Sequence, residues 1–88
     1  MVYDIRFTGP ARRALEAVPP RIVGAIIEFV YGDLAREPHG VGKPLQRELA
    51  GLHGARRGPY RVLYRIDDDA RTVFIVHLDH RSEVYRQW

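Results

Sequence analysis

Arginine is concentrated in one short stretch of the chain, residues 55–67, which reads ARRGPYRVLYRID. Four arginines lie within this stretch, and no acidic residue precedes Asp67 at its end. Two sets of residues alternate along it: Tyr60, Val62, Tyr64 and Ile66 on one parity, and Arg61, Leu63 and Arg65 on the other. A period of two is typical of a strand that buries one face. We therefore predict a strand with a face of guanidinium groups, which serves either solubility or the binding of an anion.

Further side chains that could do chemistry lie close together near the end of the chain. They are His77, His80, Arg81, Glu83, Tyr85 and Arg86. If the strand before them pairs with the arginine-rich strand, His80, Arg81 and Tyr85 approach three of the arginines. Those three are Arg56, Arg57 and Arg61. The sequence thus predicts that guanidinium, imidazole and phenol groups meet in one place.

These three groups suit the cleavage of RNA without a metal ion. Guanidinium binds phosphate through paired N–H donors and stabilises charge that develops on phosphorus oxygens. Imidazole exchanges a proton near neutral pH, and a phenol can stack on a base or donate a proton. The ribose 2′-hydroxyl, which distinguishes RNA from DNA, can then attack the adjacent phosphodiester.

The histidines differ in how well their positions suit this chemistry. His80 is the stronger candidate for the general acid or base, and His53, near a predicted strand, could reach a phosphate. His77 shares the parity of Val73 and Ile75, so we expect it to be a paired strand residue.

Neither a metal site nor a cofactor is expected. Metal-dependent cleavage needs carboxylates that converge, whereas the acids of this chain are scattered. Their one run, Asp67–Asp69, is typical of a hairpin loop because Asp is a common turn residue. The chain has no cysteine, which excludes a disulfide framework, a thiolate metal site and a cysteine nucleophile.

The elements that must position these residues fit one small domain over residues 1–88. With 45% hydrophobic and 28% charged residues, the chain can form a single modest core. The net charge of +3 is mild, but the clustered arginine favours a polyanionic partner, nucleic acid above all. No apolar run is long enough for a signal peptide or a membrane span, and we expect a cytoplasmic protein.

Periodicity predicts the order β-α-α-β-β-β. The predicted strands are Val2–Phe7, His53–Arg57, Tyr60–Asp67 and about Thr72–Asp79, and the predicted helices are Ala11–Val18 and about Arg21–Arg36. Residues 37–44 form a predicted Gly/Pro loop, and residues 45–52 an irregular or turn segment. This order is that of a two-layer α+β domain, with a helical hairpin on one face of a small, mainly antiparallel sheet. The arginines would point from the open face.

Two segments together resemble a known family. The first runs from Leu49 to Asp68 and reads LAGLHGARRGPYRVLYRIDD, and the second is His80-Arg-Ser-Glu-Val-Tyr-Arg. Together with Lys43-Pro-Leu upstream, they resemble the RelE toxins of the RelE/ParE superfamily of bacterial toxin–antitoxin modules. The resemblance covers essentially the whole chain. It implies a toxin that cleaves mRNA in the ribosomal A site and is neutralised by a cognate antitoxin in a hetero-oligomer.

The resemblance also implies roles for individual residues. Arg61 matches an arginine that contacts the scissile phosphate, and Tyr85 matches a tyrosine that stacks on or protonates the substrate. Arg81 matches a further arginine loosely, and Arg56 matches a basic position of the preceding strand. With Arg57, His53 and Lys43, Arg56 completes the set of predicted phosphate-binding residues. Some members carry catalytic lysines in that preceding strand, and here its sequence, residues 52–56, has none.

Two other functions fit the same residues. The related ParE toxins share the fold and poison DNA gyrase, which requires no nucleolytic site. A basic domain of this size could also bind RNA without any reaction, with an affinity that falls as salt rises.

Overall fold

A computed structural model of the protein describes residues 2–80, which form five strands and three helices. The strands are β1 (Asp4–Phe7), β2 (Lys43–Pro44), β3 (His53–Arg57), β4 (Tyr60–Asp67) and β5 (Thr72–His80). The helices are α1 (Gly9–Glu16), α2 (Pro20–Phe29) and α3 (Pro38–Val41). The α+β prediction is confirmed, and none of the helices described is long and apolar enough to cross a membrane.

Capping residues set the helical hairpin. The Thr8 side chain accepts a hydrogen bond from the Ala11 amide at 3.3 Å, which satisfies a donor at the start of α1. Pro20 occupies the first position of α2, where its missing N–H removes no helical hydrogen bond. After α2 the chain continues through a π-helical turn, Val30–Leu34, and remains helical to Arg36. The second predicted helix is therefore correct in extent, with a local change of hydrogen bonding.

The predicted loop at residues 37–44 is wrong in detail, because it contains α3 and β2. Pro38, which cannot continue the preceding helix without loss of a hydrogen bond, is the first residue of α3. Strand β2 has only two residues and carries no periodic signal. Residues 45–52 contain a single 3₁₀ turn, Arg47–Leu49, as the prediction of an irregular segment allows.

The sheet has the order β1-β5-β4-β3-β2. Strand β1 runs parallel to β5, and all the other pairs of neighbours are antiparallel. The core lies between the helices and one face of the sheet. It includes Ala11, Val18, Ile26, Val30 and Leu34 from the helical side and Ala55, Val62, Tyr64, Val73, Ile75 and Leu78 from the sheet. The sheet face that packs against the helices is called the helix face below. It buries apolar residues that alternate along the strands, as the sequence predicts.

A bulge in β5 changes which residues share a face. Tyr64 pairs with Ile75, but Leu63 pairs with His77, so Val76 is an extra residue with no partner in β4. The Thr8 amide and hydroxyl donate to the carbonyls of Ile75 and Val76 beside this point. Beyond the bulge the parity is reversed. Leu78 therefore joins Val73 and Ile75 in the core, and His77 lies on the opposite face.

Candidate functional site

The sheet face opposite the helices gathers most of the charged residues of the central strands, and we call it the arginine face. Cross-strand pairing defines it in two rows. One row is Lys43, Gly54, Leu63 and His77, and the other is Arg56, Arg61 and Asp79. Facing residues of neighbouring strands lie within side-chain contact, so the members of each row are neighbours on this face. Leu63 is the buried member of the first row.

Arg61 occupies the middle of this face and is bound by Asp79. Its Nη2 donates to Asp79 Oδ2 at 3.1 Å, and the two side chains are only 24% and 16% exposed. Arg61 Nε is buried and has no hydrogen-bond partner among residues 2–80. The guanidinium is therefore oriented by one carboxylate while other N–H donors remain for a further anion.

The same carboxylate lies next to a histidine. His77 Nε2 lies 3.2 Å from Asp79 Oδ1, and the histidine side chain is 48% exposed. Arg61 and His77 thus approach different oxygens of one side chain. A guanidinium, a carboxylate and an imidazole meet here, although two of the three groups were not predicted for this place.

Glycine makes room for the Arg61 side chain. A Cβ atom at Gly54 would lie 3.3 Å from Arg61 Cδ and 3.4 Å from a Leu45 methyl carbon, which is tighter than most Cβ contacts. A larger side chain at Gly54 would press on the stem of Arg61. Around this point Lys43, Arg56 and Leu45 line a shallow cleft with Arg61.

Arg65 lies on the same face but in a different setting. Its guanidinium carbon is 4.4 Å from the centre of the Phe74 ring, in a cation–π contact. Two arginines of this face thus have their own partners, since Asp79 compensates the charge of Arg61 and Phe74 stacks on Arg65.

Three predicted site residues lie away from Arg61, on the helix face. His80 pairs with Tyr60, and their ring centres are 4.9 Å apart in an edge-to-face contact. Arg57 also pairs with Tyr60 and lines a groove with Arg21 of α2. The expected approach of His80 and Arg57 to Arg61 is not found, because neighbouring residues of a strand point to opposite faces.

His53 is the third of these residues, and it is built into a packed cluster. It pairs with Tyr64, its ring stacks on the Tyr64 ring at 5.5 Å, and the His39 ring lies edge-on at 5.8 Å. Burial lowers the pKa of His53, and the nearby His39 lowers it further. His53 Nδ1 is buried without a partner among the described residues. This placement suits a neutral packing residue and not a phosphate ligand.

The cluster continues to the β4–β5 turn. Tyr64 donates its hydroxyl hydrogen to the Pro38 carbonyl at 2.6 Å, and burial raises the pKa of Tyr64 to about 12. Asp68 Oδ1 accepts a hydrogen bond from the Tyr3 hydroxyl at 2.6 Å and lies 2.9 Å from His39 Nε2. These two contacts lower the pKa of Asp68, the Tyr3 hydrogen bond most.

The acidic run 67–69 forms the predicted hairpin turn. The Ala70 amide donates to Asp67 Oδ1 at 3.1 Å, a hydrogen bond typical of Asp in turns. Within residues 2–80, no three histidine, cysteine, aspartate or glutamate side chains are grouped so that they could hold a metal ion.

Two further candidates, Arg81 and Tyr85, lie outside the described residues, so their predicted roles stay predictions. Asp79 and His77 are the residues that sequence reasoning missed. His77 was assigned by the parity of Val73 and Ile75, which does not hold past the bulge. Residues 73–76 are all apolar, so alternation alone does not show which face the residues after them occupy.

Comparison with known proteins agrees with this fold. A family profile described as "ParE toxin of type II toxin-antitoxin system, parDE" matches residues 5–85. Toxin RelG of Mycobacterium tuberculosis is 60% identical over 87 residues, which are 99% of this chain and 100% of that protein. Toxin RelE of the same organism is 49% identical over 84 residues, 96% of this chain and 87% of that protein.

A solved structure is similar over nearly the same length. In the crystal structure of the toxin–antitoxin complex RelBE2 from Mycobacterium tuberculosis, a chain with 60% identity superposes with a TM-score of 0.89, covering 93% of this chain and 94% of that one. The resemblance to RelE toxins that the sequence indicated is thus confirmed. The chain belongs to the ParE toxin family of type II toxin–antitoxin systems, within the RelE/ParE superfamily.

Proposed function

We propose that this toxin is an endoribonuclease that cleaves mRNA in the ribosomal A site and so inhibits translation. The observation that carries the proposal is Arg61, a partly exposed guanidinium that Asp79 fixes on the arginine face. A preoriented guanidinium is suited to bind a phosphodiester and to stabilise the negative charge that grows on its oxygens.

The other charges of the face extend this site. Arg56 and Lys43 flank Arg61 in the cleft and would contact neighbouring phosphates, which is the usual task of basic side chains along a nucleic-acid strand. Arg81 and Tyr85 complete the proposed set by their match to RelE toxins. The proposed RNA-binding site excludes His53, Arg57 and His80, because they lie on the helix face.

The reaction needs no group from outside the RNA apart from water and the side chains of the site. The 2′-oxygen loses its proton and bonds to phosphorus, the bond from phosphorus to the 5′-oxygen breaks, and the 5′-oxygen takes up a proton. The products are a 2′,3′-cyclic phosphate and a 5′-hydroxyl end. Charge on the phosphoryl oxygens rises during this step, and Arg61 would hold it.

Replacing Arg61 by alanine tests the proposal. The wild-type protein is added to ribosomes translating a defined mRNA, and the 5′ ends that form are mapped by primer extension. We expect Arg61→Ala to lower the cleavage rate on the order of 10²–10³-fold, the usual cost of removing a donor to a developing oxyanion. Arg65→Ala is the matched control, since it removes a guanidinium of the same strand and face that stacks on Phe74.

Arg65→Ala should retain most of the wild-type cleavage activity. Equal cleavage by wild type and Arg61→Ala would contradict the proposed role of Arg61. Absence of new 5′ ends with active wild-type toxin would remove the ribonuclease proposal altogether.

Inhibition of DNA gyrase is the second candidate, and the match to the ParE profile favours it. The ion pair of Arg61 with Asp79 also fits a surface that binds a protein without catalysis. A gyrase supercoiling assay with the purified toxin separates the two functions. Inhibited supercoiling together with intact translation would favour the ParE-like activity.

A cognate antitoxin is the proposed partner. The related M. tuberculosis chain was crystallised as a toxin–antitoxin complex, and the net charge of +3 here favours an acidic partner segment. Induction of this toxin alone should stop growth, and expression of the antitoxin from the neighbouring reading frame should restore it. Normal growth with a soluble, intact toxin would count against toxicity.

A further inference from the structure

We infer that His77 is the general base of the reaction, a catalytic residue that takes the proton of the ribose 2′-hydroxyl while Asp79 orients it beside Arg61. This inference rests on the proposed ribonuclease activity and deepens it. It supplies a proton acceptor in a chain whose β3 strand lacks the lysines found in some RelE toxins.

Position selects His77 among the histidines. The chain has four, and all of them lie within the described residues. His39 and His53 belong to the cluster around Tyr64, and His80 packs on Tyr60. Only His77 is on the arginine face, where it pairs with Leu63, two residues along the strands from the Arg61–Asp79 pair.

The geometry around Asp79 fits the two tasks that the reaction needs. Arg61 Nη2 and His77 Nε2 lie 3.1 Å and 3.2 Å from the two oxygens of one carboxylate. In RNA the attacking 2′-hydroxyl and the phosphodiester it attacks are directly adjacent, so the phosphate ligand and the base must be neighbours too. Contact with one shared carboxylate makes Arg61 and His77 neighbours in this way.

The carboxylate also determines how the imidazole can act. His77 Nε2 lies beside Asp79, and the negative charge of the carboxylate favours the ring proton on this nitrogen, which leaves the lone pair on Nδ1. The 48% exposed side chain leaves the ring accessible to a substrate. Asp79 balances the positive charge that the ring gains when it accepts a proton, as the carboxylate of a catalytic triad does. Asp79 is a positioning residue in this arrangement and does not touch the RNA.

The proposed step transfers one proton to His77 and exchanges one oxygen for another at phosphorus. The 2′-hydroxyl proton moves to His77 Nδ1, the oxygen–phosphorus bond forms, and the bond from phosphorus to the 5′-oxygen breaks. The departing 5′-oxygen takes a proton from water. The imidazolium then returns its proton to solvent, which restores the neutral ring for the next substrate.

The test uses the full chain with translating ribosomes and compares histidine variants. We expect His77→Gln to slow cleavage by about 100-fold or more, within the range for loss of a general base. His39→Gln, a matched change of an exposed histidine that contacts Asp68 and His53, should cleave at the wild-type rate. Unchanged thermal unfolding of His77→Gln would show that the loss is not a folding defect.

Chemical rescue distinguishes a base from a structural residue. His77→Ala leaves a space on an exposed face, and added imidazole should restore part of its cleavage rate in proportion to concentration. Wild-type cleavage by His77→Gln, or a loss confined to His80→Gln, would overturn the inference while leaving the ribonuclease activity intact. If wild type itself makes no cleavage product, it is the proposed function that fails.

Discussion

Asp79 places a negative charge next to Arg61, in the middle of the arginine face. The Arg61–Asp79 pair is 24% and 16% exposed, so solvent screens it less than a surface pair. Removing one partner leaves the other charge partly buried and uncompensated, which is costly. The same contact therefore stabilises the fold and orients the proposed phosphate ligand.

A double-mutant cycle measures this coupling. Arg61→Ala, Asp79→Ala and the double variant should give an interaction free energy of about 1 kcal/mol or more, since exposed pairs typically give about 0.2–1 kcal/mol. The control is the Arg36–Asp33 pair, whose side chains are 61% and 66% exposed. Urea unfolding of all variants supplies the values, and equal coupling for both pairs would contradict the role given to burial.

Two glycines allow opposite predictions for the packing of the elements. Gly24 lies inside α2, and a Cβ atom there would meet nothing within 4 Å. We expect Gly24→Ala to raise the free energy of unfolding by about 0.5–1 kcal/mol, because glycine loses more backbone entropy in a helix than alanine.

Gly42 is the matched contrast. A Cβ atom at this position would collide with Tyr64 Oη and lie 2.9 Å from the Gly54 carbonyl oxygen, at the point where α3 meets the sheet. Gly42→Ala should lower the free energy of unfolding by about 1–3 kcal/mol, the usual cost of overpacking. Thermal unfolding of both variants checks the pair, and a stabilised Gly42→Ala would refute the contact.

The sequence was informative about elements with strong local signals. Strands β3 and β4 have the predicted bounds, because the Gly58-Pro59 turn and the alternation after it are local features. Helix α3 and strand β2 were missed, since four and two residues are too few to show a period. Their positions depend on contacts distant in sequence, such as the hydrogen bond from Tyr64 to Pro38.

The candidate site was predicted in part for the same reason. Arg61, Arg56 and Lys43 share the arginine face because β4 alternates regularly and its neighbours follow by register. His77 and Asp79 could not be assigned without the bulge, which forms where β1 ends beside β5. Strict alternation along a strand does not account for a bulge, because the bulge arises from pairing with strands that are distant in sequence.

Across the whole domain, stability should depend on pH through His53. Burial lowers the pKa of this histidine below 6.5 in the folded protein. The unfolded chain then binds more protons than the folded one as the pH falls below that value, so folding weakens. The contribution of His53 is complete above the unfolded-state pKa of about 6.5 and is lost as the pH falls from there through the lower pKa of the folded state.

His53→Phe tests this dependence, because phenylalanine can stack on Tyr64 but does not titrate. Urea unfolding between pH 7.5 and 5.5 should show a smaller loss of stability for the variant than for the wild type. Parallel curves for the two proteins over this range would show that His53 does not contribute.

The bulge at Val76 has a consequence for how such a surface can evolve. A substitution cannot move His77 or Asp79 to the other side of the sheet, because the backbone fixes the direction of each side chain. Pairing on either side of the bulge does not depend on Val76, because this residue has no partner in β4. Deleting Val76 would join Ile75 to His77 in regular alternation and leave the Leu63–His77 and Arg61–Asp79 pairs in place. Deleting Leu78 instead would move Asp79 to the helix face, so the effect of a lost residue on this surface depends on which side of His77 it lies.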